Sequence, residues 1–269
     1  MNIFLILLLT IGLLACGSES KEVAGEIFID PNPSENNEVC ENNDGINWQA
    51  LLTTQCQQLS DYNLFTDSTD PRSGQRIGGI TYQINSQLFT DRARKYRYVF
   101  MPPNTQATFV DSEVLDFPVG SVFVKVFALP EDTGKPEENV IEVRLMIHRP
   151  SGWVGLPYVW DSQVLDGHLD LNGESVPFTM LHKGEEYQSF YAVPTYGSCR
   201  NCHQYDGSMT LIGPKARLLN KQIIVAGESV NQLVYWQQEG FLPEGSLPSN
   251  VVGIEYAPDW RDETENLTD

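Results

Sequence analysis

The strongest constraint on the fold is a set of period-two runs in the middle of the chain. Val122, Val124 and Val126 alternate with Phe123, Lys125 and Phe127, and Ile141, Val143, Leu145 and Ile147 alternate with Glu142, Arg144, Met146 and His148. Val176, Phe178 and Met180 repeat the pattern. Side chains of an extended chain point alternately to opposite faces, so these runs predict strands, with shorter ones over 96–101, 154–160 and 189–193. Turn residues separate them: Pro102-Pro103-Asn104, Pro118-Val119-Gly120, Asp132-Thr133-Gly134, Ser151-Gly152 and Asn172-Gly173. Strands punctuated in this way predict an antiparallel β-sandwich or barrel-like domain over residues 75–195. Ahead of it, Trp48, Leu51, Leu52, Cys56 and Leu59 share a helical face behind Asn47 as N-cap, predicting a helix over 48–59. Behind it, Ser229-Val230-Asn231-Gln232 has capping-box form and Gly240 follows the helix it opens. The expected fold is mainly β with a smaller α part.

The first fifteen residues are apolar and uncharged, too short to span a bilayer stably but suited to the core of a secretory signal. Leu13-Leu14-Ala15-Cys16 resembles the lipobox of bacterial lipoproteins. The resemblance implies cleavage before Cys16 and acyl chains on its thiol and new amino group, which together make a stable membrane anchor. Gly17 in place of Asp implies the outer membrane, on its periplasmic or its outer side. The region 17–46 is rich in Ser, Glu, Asn and Pro, buries too little apolar surface to offset chain entropy, and reads as a flexible tether. A formal net charge of −19 argues against nucleic acid and against electrostatic adhesion to anionic lipid, and steers basic partners towards the protein.

The chain has five cysteines. Cys16 goes to lipid, and Cys199 and Cys202 belong to Cys199-Arg200-Asn201-Cys202-His203. Cys40 and Cys56 remain, and an exported chain meets an oxidising compartment, so a Cys40–Cys56 disulfide is expected, with two buried thiols as the alternative.

Cys-x-x-Cys-His suits attachment of c-type haem. Two thiols three positions apart can form thioethers with the two vinyl groups of the porphyrin, and the adjacent histidine is then held where a ring nitrogen ligates iron. The reading gives one covalent haem c on Cys199 and Cys202, with His203 as proximal ligand. The rivals are a thioredoxin-like pair, which wants a βαβ context, a zinc site, which wants further nearby ligands, and a plain disulfide. Ile212-Gly213-Pro214 is similar to the Gly-Pro that covers the proximal side in small c-type cytochromes. That likeness implies that the Pro214 carbonyl accepts the Nδ1–H of His203, with Leu211, Leu218 and Leu219 packing on the haem. The alternative is an ordinary turn followed by core leucines. Met209 is too close to His203 to reach the distal side except by a short wrapping loop. A distal ligand is sought among His182, His148, His168, Met180 and Met146, with His182 and His148 foremost. An open iron site stands beside them.

Several motifs in order resemble a family of bacterial lipid-anchored di-haem c-type cytochromes. They are Phe117-Pro118-Val119-Gly120-Ser121-Val122-Phe123-Val124-Lys125, His148-Arg149 with Gly152-Trp153-Val154-Gly155-Leu156-Pro157-Tyr158-Val159-Trp160, the haem motif itself, and Ile212-Gly213-Pro214-Lys215-Ala216-Arg217. Members carry a β-rich region before the first haem motif. In that family a second Cys-x-x-Cys-His follows a stretch like Tyr256-Ala257-Pro258-Asp259-Trp260-Arg261-Asp262. Here the sequence stops at Asp269, so a truncated member and a single-haem variant are both expected readings. A weaker likeness links Phe-Pro-x-Gly-Ser-Val plus Cys-x-x-Cys-His to cytochrome P460 and β-type cytochrome c′. It implies an open distal face, with Phe123 or Phe127 near the pocket.

These readings divide the chain into a signal peptide (1–15), a tether (16–46), an N-terminal helix with the β-rich domain (47–195) and a short helical, cytochrome c-like haem segment (196–269). The expected function is electron transfer to a basic redox partner from the cell envelope, non-enzymatic and through one covalent haem. The alternatives are a five-coordinate haem protein that binds or oxidises a small gas or nitrogen compound, and a haem-free β-domain lipoprotein with a structural disulfide. Trp153, Tyr158, Trp160 and Tyr191 are expected in the core.

Overall fold

The computed structural model describes residues 38–41, 44–88, 90, 92–249 and 251. The signal peptide, Cys16, the tether as far as residue 37 and the 256–262 stretch lie outside the described residues.

The period-two runs form one antiparallel meander. Six strands pair in chain order: β1 (Gly79–Thr81), β2 (Arg94–Phe100), β3 (Val122–Pro130), β4 (Glu138–Arg149), β5 (Gly152–Asp161) and β6 (Asp166–Leu169). Alternation puts Val122, Val124 and Val126 of β3 and Val143, Leu145 and Ile147 of β4 on one face, joined by Val154, Leu156 and Tyr158 of β5. A short helix α1 (Trp48–Thr53), a single 3-10 turn (Leu59–Tyr62) and the disulfide between Cys40 and Cys56 cover that face. Asn47 caps α1 by accepting from the Ala50 N–H at 3.1 Å. The helix is shorter than expected because Arg149, buried at the end of β4, donates through its guanidinium to the carbonyls of Leu51 and Thr54 and closes it there. The Cys56 N–H donates to the Tyr62 hydroxyl at 2.9 Å, and the Tyr158 hydroxyl donates to the Cys56 carbonyl at 2.8 Å.

Two separate covers lie on the second face. At one end the hairpin β7 (Ser175–His182) and β8 (Glu185–Ala192) buries Met180 and Tyr191 against Phe127, Leu129, Ile141 and Val159. At the other end the chain after residue 208 packs Met209, Leu211, Leu219, Leu233 and Trp236 against Val99, Phe123 and Met146. The chain from residue 196 onwards contains helix α2 (Tyr196–Cys202), the two-residue strands β9 (Gln204–Tyr205) and β10 (Ser208–Met209), helix α3 (Ala216–Leu219), the hairpin β11 (Gln222–Val225) and β12 (Glu228–Asn231), and helix α4 (Gln232–Gln238).

The structure is mainly β, with antiparallel sheets and a small helical part. The barrel-like closure is corrected: among the described residues β1 and β6, the two ends of the sheet, do not pair with each other, and the layer facing the sheet is built of hairpins and short helices rather than a second broad sheet. The C-terminal helix starts later than its capping box predicts. Ser229 pairs with Ile224 in β12, so Asn231 becomes the N-cap, accepting from the Leu233 N–H at 3.0 Å. No helix among the described residues is long and apolar enough to cross a membrane.

Candidate functional site

Cys199, Cys202 and His203 are presented by one short helix at the boundary between the two covers. α2 begins at Thr195, whose hydroxyl accepts from the Ser198 N–H at 3.0 Å. The helix ends at His203, whose N–H donates to the Cys199 carbonyl at 2.9 Å. Cys199 is half-buried and Cys202 exposed, and both are free thiols. α2 and β10 both pack on β5. Gly155 makes room there, because a Cβ at that position would stand 3.3 Å from the Met146 sulfur and 3.7 Å from that of Met209.

His203 is oriented by the strand pair that follows it. Asp206 and Gly207, with φ of 47° and 76°, make a tight turn between β9 and β10. The turn sets Thr210 opposite His203, and the two are bound twice. The Thr210 N–H donates to the His203 carbonyl at 2.7 Å, and His203 Nδ1 donates to the Thr210 carbonyl at 2.9 Å. A carbonyl can only accept, so the proton sits on Nδ1 and Nε2 keeps its lone pair. Burial holds the imidazole below its ordinary pKa; the bond to Thr210 opposes that, and the charges of Lys125 and Arg144 reinforce it. The ring is therefore neutral at neutral pH, as a metal ligand must be.

The Pro214 carbonyl has a partner other than His203 in this structure. It accepts the Leu115 N–H at 3.1 Å, because Val114 and Lys215 form a bridge that turns the Gly-Pro segment towards the loop before β3. The carbonyl bonded to His203 Nδ1 is that of Thr210. Leu211 and Leu219 lie in the cluster on the second face, and Leu218 is half-buried.

The distal candidates stand on β4, β6 and β7. His182 sits at the tip of the β7–β8 hairpin with Nδ1 3.0 Å from the Thr133 hydroxyl. His148 places Nδ1 2.8 Å from the Phe117 carbonyl and stacks on Trp153, with ring centroids 4.5 Å apart. His168 faces Glu174 at 3.7 Å. Met180 is buried under the hairpin, and Met146 is buried beside Gly155. Phe123 and Phe127 are both buried, under different covers.

A row of cations on the same sheet face emerges only from the strand pairing. Arg97, Lys125 and Arg144 are direct cross-strand partners on β2, β3 and β4. Lys125 Nζ lies 4.9 Å and Arg144 Cζ 4.4 Å from the Phe127 ring centroid. Glu142, fully buried, accepts from Arg144 Nη2 at 2.8 Å and from the Tyr191 hydroxyl at 3.0 Å. Burial pushes the Lys125 amine down to about 7, and its neighbours Arg97, Arg144 and Lys95 add to that while Glu142 opposes it. Lys125 and Arg144 stand at positions flanked by buried apolar residues, and that was the signal available in the sequence.

The donor set fits a covalent c-type haem. It offers two unjoined thiols on one helical turn, a neutral imidazole whose Nδ1–H is held by the Thr210 carbonyl so that Nε2 is free, and cations nearby for an anionic group. No family model, no curated protein and no solved structure matches the chain.

Proposed function

We propose that this chain is an exported, lipid-anchored c-type cytochrome that holds one haem through Cys199, Cys202 and His203. The observation that carries the proposal is the pair of hydrogen bonds between His203 and Thr210, with Nδ1 donating at 2.9 Å. Backbone bonds of this kind fix the tautomer and orientation of ligating histidines. A zinc site has less support, because the cysteine–carboxylate cluster among the described residues is Cys40, Cys56 and Asp61, whose sulfurs are joined to each other. Bound haem supplies one-electron exchange at iron. Cys199, Cys202 and His203 would hold it, and the acidic net charge suits a basic redox partner. The resemblance to di-haem cytochromes and the Leu13–Cys16 lipobox give the same reading, with the anchor in the outer membrane.

One observation favours a second reading, an open iron site that binds or oxidises a small gas or nitrogen compound. His182 is held by the Thr133 hydroxyl at the tip of the β7–β8 hairpin, His168 faces Glu174, and Met180 is packed under the hairpin.

The test is an absorption spectrum of protein made with haem-maturation machinery, oxidised and dithionite-reduced, with and without CO. Sharp reduced bands indifferent to CO support the electron carrier. A high-spin spectrum that shifts with CO replaces it with the open site, and colourless protein overturns both.

A further inference from the structure

We infer that Arg97, Lys125 and Arg144 form the seat for the two propionate groups of the haem. The inference rests on the reading of Cys199–His203 as a haem site. It starts from an anomaly of charge. The chain carries 17 Lys and Arg against 36 Asp and Glu, yet three cations stand shoulder to shoulder across neighbouring strands. Like charges directly opposite each other destabilise a sheet, and here they lie on a largely covered face. Glu142 pairs with Arg144, whereas Lys125 has no ion pair among the described residues. Lys95, on the same strand as Arg97, adds a fourth positive charge, and its amine is pushed down to about 8, first by burial and then by Arg97 and Arg144.

The row is also in the right place. Arg144 acts on both Cys199 and His203, and Lys125 acts on His203, so the row and the haem motif share one electrostatic neighbourhood. α2 packs on β5, the strand next to Arg144. A c-type haem is held by its vinyl edge at the two thiols and carries its two carboxylates on another edge. A dianion arriving beside Lys125 turns the row from a cost into a set of charge-assisted hydrogen bonds.

The experiment uses full-length holoprotein and compares wild type with Lys125→Gln, Lys125→Arg and, as a surface control, Lys135→Gln. The readouts are the midpoint potential and the propionate bending modes in resonance Raman spectra. A cation beside the ring favours the less positive ferrous state. Lys125→Gln is therefore expected to raise the oxidised-to-reduced ratio at fixed potential about tenfold, a fall of about 59 mV for one electron, and to shift the propionate modes. Lys125→Arg restores both, and Lys135→Gln changes neither. If Lys125→Gln does not accumulate, Lys95→Gln is read in the same way, with a smaller fall.

Haem-bearing Lys125→Gln with wild-type potential and propionate modes overturns the proposal and leaves the haem reading standing. So does a wild-type potential that titrates with inorganic phosphate, since the row then holds a free anion. Colourless wild-type protein overturns the haem reading and the proposal together.

Discussion

Glu142 is fully buried, and its charge is tolerated because Arg144 and Tyr191 both reach it. Removing one partner of a buried pair leaves the other uncompensated, which costs about 3–5 kcal/mol. Arg144→Met is therefore expected to lower stability by about that amount in urea unfolding, and Glu142→Gln/Arg144→Met to regain most of it. Equal stabilities for the single and double variants would contradict this account. Asp61 shows the opposite balance. Desolvation raises its pKa to about 6, with Asp166 and Glu41 adding to the rise and the Gln58 N–H opposing it. A folded-state pKa above the unfolded one means that the stabilising contribution is complete below pH 4 and is lost as the pH rises through 6. Asp61→Asn is thus expected to match wild type near pH 3.5 and to exceed it in melting temperature at pH 7. An advantage independent of pH would point to packing instead.

At the scale of elements, the Cys40–Cys56 link closes a loop of 16 residues against α1 and the 3-10 turn. Chain entropy gives a loop of this size about 3 kcal/mol of stabilisation. Cys40→Ala/Cys56→Ala is expected to lose about that much in denaturant unfolding, while the sheet signal by circular dichroism persists below the transition. The strands were largely legible because alternation and turn residues agreed. Gly120 illustrates why: at φ +96°, with Pro102 Cγ only 2.4 Å from a would-be Cβ, the turn before β3 needs glycine. The edge strands β1 and β6 were missed because each is short and takes its pairing from a neighbour rather than from its own pattern. The overlong helix over 48–59 and the late start of α4 share a cause. Arg149 and the β11–β12 pairing override local helical signals from a distance in sequence.

For the whole molecule, the two covers leave the Cys199–His203 motif and the cation row in the same interval of one sheet face. The motif itself was legible, since Cys-x-x-Cys-His is local. The rest of the site was not, because Thr210 reaches His203 through a two-residue turn and Lys125 and Arg144 meet only when β3 and β4 pair. The direction of the Gly213-Pro214 segment is set by a bridge from Val114 to Lys215, which linear spacing does not reveal. The central claim is that Cys199 and Cys202 carry haem covalently. The most direct test is the intact mass of denatured protein, expressed with haem-maturation machinery, beside Cys199→Ser/Cys202→Ser. The account predicts a mass raised by one haem in wild type, with absorption that survives acid-acetone extraction, and neither in the variant. A wild-type mass equal to that of the polypeptide, with or without its lipid, would contradict it.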